Sequence, residues 1–551
     1  ASTAAQLPSF PEVSYVSPDR EMRSSGHLSM TTGADAVRTT SGTNTTGLDG
    51  TGIGIAIVDS GIYRDHTDFL DRSNNVRVVH NQDFTGENRI DDPYGHGTFV
   101  AAMAAGNGRV GNANYLGIAP NASLINLRVL NSRGQGTVSG VLDALNWIAQ
   151  NRAQYNIRVV NMSLGMPAVD SYKNDPVCKA VRSLVNSGVV VAIAAGNNGK
   201  SSGGQKVYGQ IHSPGDEPSA ITVGAANSFG TDARNDDGVT SYSSRGPTRG
   251  FWTDMAGTKH YDNLIKPDLV APGNKLIQAE APGNLIMSQN PQLNADVSPV
   301  AVRDKMYMNG SSVASPAVAG AAALLLQANP KLTPNLVKTI LMYTAQPLAG
   351  FNMLEQGAGE LNIEGAIRLA KVVRTDLSSS TSLGAPMLTT LLNLPPTPQT
   401  TIAGYTFKWS QGVIVGRTYA KGSALITKYQ KIYGLGVLLG DGVLLGDGVL
   451  LSDGVLLSDG VLLGDSIMTS NGVLLGDGTI FCSSGVLLGD GVLLGDGVLL
   501  GDGVLLGDAT VLADGVLLGD FTLQAQSATG SGDLTGCMEP QVDTGADYLD
   551  Y

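Results

Sequence analysis

At 551 residues the chain exceeds one typical domain, and its 71 glycines far exceed average usage. The net charge of -13 is uneven: 434–551 holds 17 Asp or Glu and no Lys or Arg, against 31 acidic and 35 basic residues elsewhere. This argues against nucleic acid as a partner of the tail, three cysteines exclude a dense disulfide framework, and the apolar run Ala317 to Leu326 is too short to span a membrane.

Residues 1–30 are polar and irregular apart from an extended stretch at Val13 to Val16. No signal peptide is visible, as expected of an exported chain whose targeting segment has been removed. From 33 to 375, apolar β-rich runs alternate with helical patterns. The runs are Gly52 to Val58, Leu124 to Leu130, Val159 to Leu164, Val189 to Ala195 and Ala220 to Gly224; the helices include Ser139 to Asn151 and Pro176 to Asn186. Cys178 falls in the second helix and is expected to pack as a small hydrophobe. Near-continuous apolar strands separated by helices predict an α/β fold of three layers, a mostly parallel sheet between helices. A linker and small β-rich segment follow over 376–433, then a hexapeptide-repeat region over 434–521 and an acidic tail over 522–551.

Four side chains have informative surroundings. Asp59 follows an apolar strand in Val-Asp-Ser-Gly-Ile, where open α/β sheets place their sites. His96 stands between glycines at the start of a small-residue helix. Ser312, in Asn309-Gly-Ser-Ser-Val-Ala-Ser-Pro, begins an apolar helix whose N-terminus favours developing negative charge. Asn197, in Ala-Ala-Gly-Asn-Asn-Gly, is either an ordinary turn residue or an amide donor to an oxyanion. Together they supply the nucleophile, base, orienting carboxylate and oxyanion donor that peptide hydrolysis requires.

The order Asp, His, Ser and the blocks Val-Asp-Ser-Gly-Ile, Gly-His-Gly-Thr and Gly-Ser-Ser-Val-Ala-Ser-Pro resemble the signatures of the subtilase family. Asn161-Met-Ser-Leu-Gly, Ser241-Tyr-Ser-Ser-Arg-Gly-Pro and Lys266-Pro-Asp-Leu-Val-Ala-Pro-Gly match as well, so the resemblance covers about 33–375. It implies a serine endopeptidase with a subtilisin-like fold, acting on protein or peptide substrates without a cofactor for the chemistry. Ser312 would be nucleophile, His96 general base, Asp59 its orienter and Asn197 an oxyanion donor. Gly134, Gln135 and Gly136, with Ser163, Leu164 and Gly165, would form two strands flanking the substrate. Ser311 and Val313 stand where Thr and Met are common. Gly106 to Leu116 departs from the familiar calcium loop, so no metal site is transferred, although structural calcium remains compatible. Leu7 to Arg20 resembles the end of a subtilase propeptide, with a cut expected between about Arg20 and Ala34. The resemblance implies a secreted, extracellular or cell-surface protein.

From Gly436 the unit Gly-Val-Leu-Leu-Gly/Ser-Asp recurs, with a one-residue slip at Ser484. Val-Leu-Leu favours strands and Gly-Asp-Gly favours turns, so stacked copies predict a β-solenoid. Intermolecular cross-β assembly and a disordered Gly-rich tail are the alternatives. Aligned Asp side chains would repel, making the stack sensitive to pH or calcium. Two functions compete: a protease with an accessory stalk, anchor or cap, and a structural or filament-forming protein carrying an active or vestigial protease domain.

Overall fold

The structure is a computed structural model. It describes residues 27–41, 44–111, 113–382, 384–429 and 433, repeat strands between 449 and 506, and 528–535, 538 and 540–543. The propeptide-like stretch Leu7 to Arg20 lies outside the described residues.

The central sheet contains β1 (Gly54–Asp59), β2 (Val78–Asp83), β3 (Ser123–Arg128), β4 (Ile157–Met162), β5 (Val190–Ala194), β6 (Ile221–Asn227), β7 (Gly238–Val239) and β8 (Leu269–Pro272). Their order is β7-β6-β5-β4-β1-β3-β2, with β8 also paired to β6, and β7 alone runs antiparallel to its neighbour. The chain reverses its direction of growth at β1, with β3 and β2 on one side and β4 to β6 on the other. Such a switch point leaves a crevice at the strand's carboxyl end, where Asp59 sits.

The helices of this unit include α1 (His27–Thr31), α2 (His96–Ala105), α3 (Val138–Asn151), α4 (Pro176–Asn186), α5 (Leu285–Gln289) and α6 (Ser311–Ala328). The strand alternation divides β1 between two cores. Ile55 and Ile57 join the core containing α2 and α6, whereas Ala56 and Val58 join the one containing α3 and α4. In α3 the buried positions Val141, Ala144, Leu145 and Ile148 make one helical stripe, and Thr137 caps the start by accepting from the amide of Gly140. Truncating the fully enclosed Leu145 would cost about 2–5 kcal/mol. By contrast, α6 is apolar all round and buried from Ser311 to Leu326. By length and composition it could cross a membrane, but the protein encloses it.

The fold adds detail to several sequence expectations. The carboxyl part of the expected cleavage window is packed: Arg234 donates to the carbonyl of Thr31 at 2.6 Å, and Ile363 N donates to that of Thr32 at 2.9 Å. The segment after 376 is partly core, since Trp409, Val413 and Ile426 join the same cluster as α6. Cys178 is buried and free, yet its thiol sits 3.3 Å from Asp216 Oδ1. Burial and that carboxylate push the thiol well above its ordinary range.

Repeat strands pair in parallel. Val449 faces Val461, and Val461 faces Val473, a step of 12 residues or two hexapeptides. The step becomes 13 between Val473 and Val486, and the ladder bulges between Phe481 and Ser484, where the sequence slips.

An acidic contact closes the hairpin of β9 (Leu276–Ala279) and β10 (Lys305–Met308). Glu280, beside β9, donates its amide to the carbonyl of Asp304 at 3.0 Å. Burial, then the Asp304 charge, push the Glu280 carboxyl from 4.5 up to about 8. The folded state therefore holds this proton more tightly than the unfolded chain, and stability falls as pH rises from about 4.5 to about 8. Glu280→Gln is expected to narrow the fall in Tm between pH 6 and pH 9, measured by thermal melting of inhibited protein.

Candidate active site

The carboxyl end of β1 and the N-termini of two helices supply the site. Asp59 ends β1 and His96 opens α2; Asp59 Oδ1 accepts from Ser60 N at 2.7 Å and from His96 Nδ1 at 2.8 Å. Both side chains are buried. An imidazole that donates through Nδ1 presents Nε2 as the basic nitrogen. The glycine after it is sterically required: a Cβ on Gly97 would lie 2.2 Å from the carbonyl oxygen of Gly61.

Ser60 and Asp92 hold this arrangement, though neither was singled out from sequence. Ser60 Oγ donates to Asp92 Oδ1 at 2.8 Å and accepts from Gly97 N at 2.9 Å. Asp92 also accepts from the amides of Gly95 and Thr98. An Asp shortly before a helix start, as in Asp91-Asp92-Pro-Tyr-Gly-His, was the available signal.

Ser312 lies in the first turn of α6, which packs against α2. Four residues on, Pro316 has no N–H to donate to the Ser312 carbonyl. Ser163 Oγ fills that role at 2.7 Å and belongs to a closed set of bonds. Asn161 Nδ2 donates to Ser163 Oγ at 2.9 Å, and Ser315 Oγ donates to Asn161 Oδ1 at 2.7 Å. The end of β4 is thereby tied to the start of α6.

Asn197 follows β5 and is fixed by Ser311. Its Oδ1 accepts from Ser311 N at 2.8 Å and from Ser311 Oγ at 3.1 Å, while Ser311 Oγ accepts from Gly196 N at 3.0 Å. With the oxygen committed, the buried Nδ2 has no hydrogen-bond partner among the described residues. A fixed, unpaired amide donor can stabilise a developing oxyanion.

The expected cleft residues are more irregular than predicted. Ser163, Leu164 and Gly165 continue beyond β4 and are buried. Gly134, Gln135 and Gly136 leave a turn, because Asn131 Oδ1 captures the amides of Arg133 and Gln135. Gln135 is exposed there. Behind Gly165, burial pushes His212 down to about 4, so it is neutral, and Asn198 Nδ2 donates to its Nε2 at 2.8 Å. Among the described residues no cluster of three or more His, Cys, Asp or Glu side chains could hold a metal ion.

The family model described as the Subtilase family matches residues 50–366. Serine protease AprX of Bacillus subtilis (strain 168) is 34% identical over 330 residues, covering 58% of this chain and 67% of its own. Subtilisin DY of Bacillus licheniformis is 34% identical over 321 residues, covering 58% and 92%. A solved cold adapted subtilisin-like serine proteinase is 28% identical with a TM-score of 0.40, covering 60% of this chain and 97% of its own.

Ser311→Ala would remove the hydroxyl joining Gly196 to Asn197 while leaving the backbone bond intact. Turnover is expected to fall about tenfold, or about 1.4 kcal/mol, with little change in KM. Ser311→Thr, which keeps the hydroxyl, is expected to restore it. Steady-state kinetics on a peptide substrate check both; a change confined to KM would contradict the role.

Proposed function

The chain belongs to the subtilase family of serine proteases, and from that premise we propose that it is an endopeptidase working through an acyl-enzyme on Ser312. Ser312 Oγ attacks the scissile carbonyl as His96 Nε2 takes its proton. Asp59 keeps the imidazole oriented and favours the imidazolium that forms. The carbonyl oxygen, now an anion, receives hydrogen bonds from Asn197 Nδ2 and from Ser312 N. Collapse expels the amine, protonated by His96, and water then repeats the sequence to free Ser312. No metal or organic cofactor enters these steps.

The observation that carries this reading is the Asn197 amide, held through its oxygen and, among the described residues, unpartnered at its nitrogen. Substrate would lie extended between Gly134–Gly136 and Ser163–Gly165, recognised chiefly through its main chain. The same reading puts the protein outside the cell, secreted or at its surface, with Leu7 to Arg20 as a propeptide remnant.

Ser312→Ala is expected to abolish hydrolysis with the fold intact. Asn197→Ala is expected to lower turnover by roughly 10²–10³ at similar KM, a magnitude carried over from subtilisin itself. Peptide kinetics check both, and an active Ser312→Ala protein would refute the nucleophile.

For the repeat, the two-hexapeptide step supports a solenoid with two strands per turn, serving as an accessory element of the protease. The filament-forming alternative gives a different image. Electron microscopy is expected to show monodisperse particles; regular fibres would favour self-assembly.

A further inference from the structure

After the repeat, the chain returns to the protease unit. We infer that 528–535, 538 and 540–543 belong to an intramolecular strap positioning the turn that carries Ser312, with Gly532 and Asp533 as its seat.

Asn309 and Asn274 are the points of contact beside that turn. Asn309 lies three residues before Ser312, and Asn274 follows Gly273, whose carbonyl accepts from Gly310 N at 2.8 Å. Asn309 Oδ1 accepts from Lys275 N at 2.7 Å, and its Nδ2 donates to the carbonyl of Thr529 at 2.9 Å. Asn274 Oδ1 accepts from Asp533 N at 2.9 Å, and its Nδ2 donates to Thr535 Oγ1 at 3.0 Å. The Asp533 carboxylate accepts from Ser241 N at 2.9 Å and from Ser241 Oγ.

The seat is shaped for glycine. Gly532 has φ +57°, and a Cβ there would lie 2.3 Å from Asn309 Oδ1 and 2.5 Å from Asn274 Oδ1. Any side chain would therefore strike both asparagines.

Further along, the strap grips the β9–β10 hairpin. Met538 packs with Tyr115, Ile277 and Val297, and its carbonyl accepts from Tyr307 OH at 3.2 Å. Asp543 is buried, bonded to Arg303 at 3.3 Å and, through its amide, to the carbonyl of Val297 at 2.7 Å. The strap thus joins that hairpin to the residues just ahead of Ser312. Its loss would leave inward-facing polar groups of Asn274 and Asn309 without these partners and the nucleophile turn less constrained.

The inference rests on Ser312 as nucleophile, so the test includes an arm that needs no activity. An orthogonal protease site is inserted between Gln524 and Gln526 of the full chain and cut. The released segment is expected to co-elute with the protease unit on gel filtration from wild type and to separate from Gly532→Val. Uncut Gly532→Val is expected to show kcat reduced about tenfold with KM within about twofold. Asp533→Ala, a milder change, should lower kcat in the same way if Gly532→Val does not fold. Asp533→Asn, which can still accept from Ser241 N, should restore kcat to within about twofold of wild type. Separation of the cut wild-type segment, or unchanged kcat in a Gly532→Val protein that has lost it, would overturn the strap. Failure of Asp533→Asn to rescue a kcat lowered in Asp533→Ala would overturn Asp533 as its seat.

Discussion

Much of the site depends on one carbonyl group left without a helical donor. Proline inside a helix forfeits a hydrogen bond and usually costs about 3 kcal/mol or more. Here Pro316 removes the donor from the Ser312 carbonyl, and Ser163 restores the bond from another element. Asn161 and Ser315 complete the set, so the end of β4 and the start of α6 are constrained together. Since α6 is enclosed by the core, it cannot shift without opening a cavity. Ser311 then sets Asn197 from the same turn. The position of Ser312 and the direction of the Asn197 amide are consequences of one buried helix start.

Charge is handled by small closed groups in the interior. Lys266 and Lys338 both reach Asp268, at 2.7 and 2.8 Å. Burial, partly opposed by Asp268, pushes Lys338 down to about 7. Arg234 lies 3.2 Å from Asp237 and 3.1 Å from Glu360, and burial together with Glu360 pushes Asp237 upward. A proton on Asp237 leaves one carboxylate facing one guanidinium, which avoids an uncompensated buried charge. Such groups are poor evidence of net stability, but removal of one partner is costly.

The sequence made the site legible because its demands are local. Asp59 must end an apolar strand, and His96 and Ser312 must start helices, so each leaves a short pattern. The expected helix Pro176 to Asn186 coincides with α4, where Asp175 and Pro176 mark the start by capping and by fixed φ. What escaped depended on distant partners. The strand β2, with only Val78 fully buried along its length, lacks the apolar run that marks its neighbours. The structural work of Ser60 and Asp92 is a contact across 32 residues; the helix start after Asp92 hints at a cap, but nothing local announces Ser60 as its partner. The strand at Gly134 to Gly136 is implied by the family resemblance alone, and Asn131 bends the chain there.

The longest-range feature concerns how the repeat is attached. Its entry is fixed where Thr333 Oγ1 donates to the carbonyl of the buried Tyr433 at 2.6 Å. Its exit is fixed where Asn309 binds Thr529. A segment joined at both ends is an insertion, and its closure entropy grows only as the logarithm of its length. Doubling a flexible insertion costs about 0.6 kcal/mol. Whole hexapeptides can therefore be gained or lost with little penalty at the anchors. Pairing is more demanding: because strands step by 12 residues, an odd number of copies would leave one hexapeptide unmatched. The 13-residue step at the slip shows how a single extra residue is absorbed, by a local bulge that leaves the later register intact. Copy number is thus constrained more tightly by the ladder than by attachment to the protease unit.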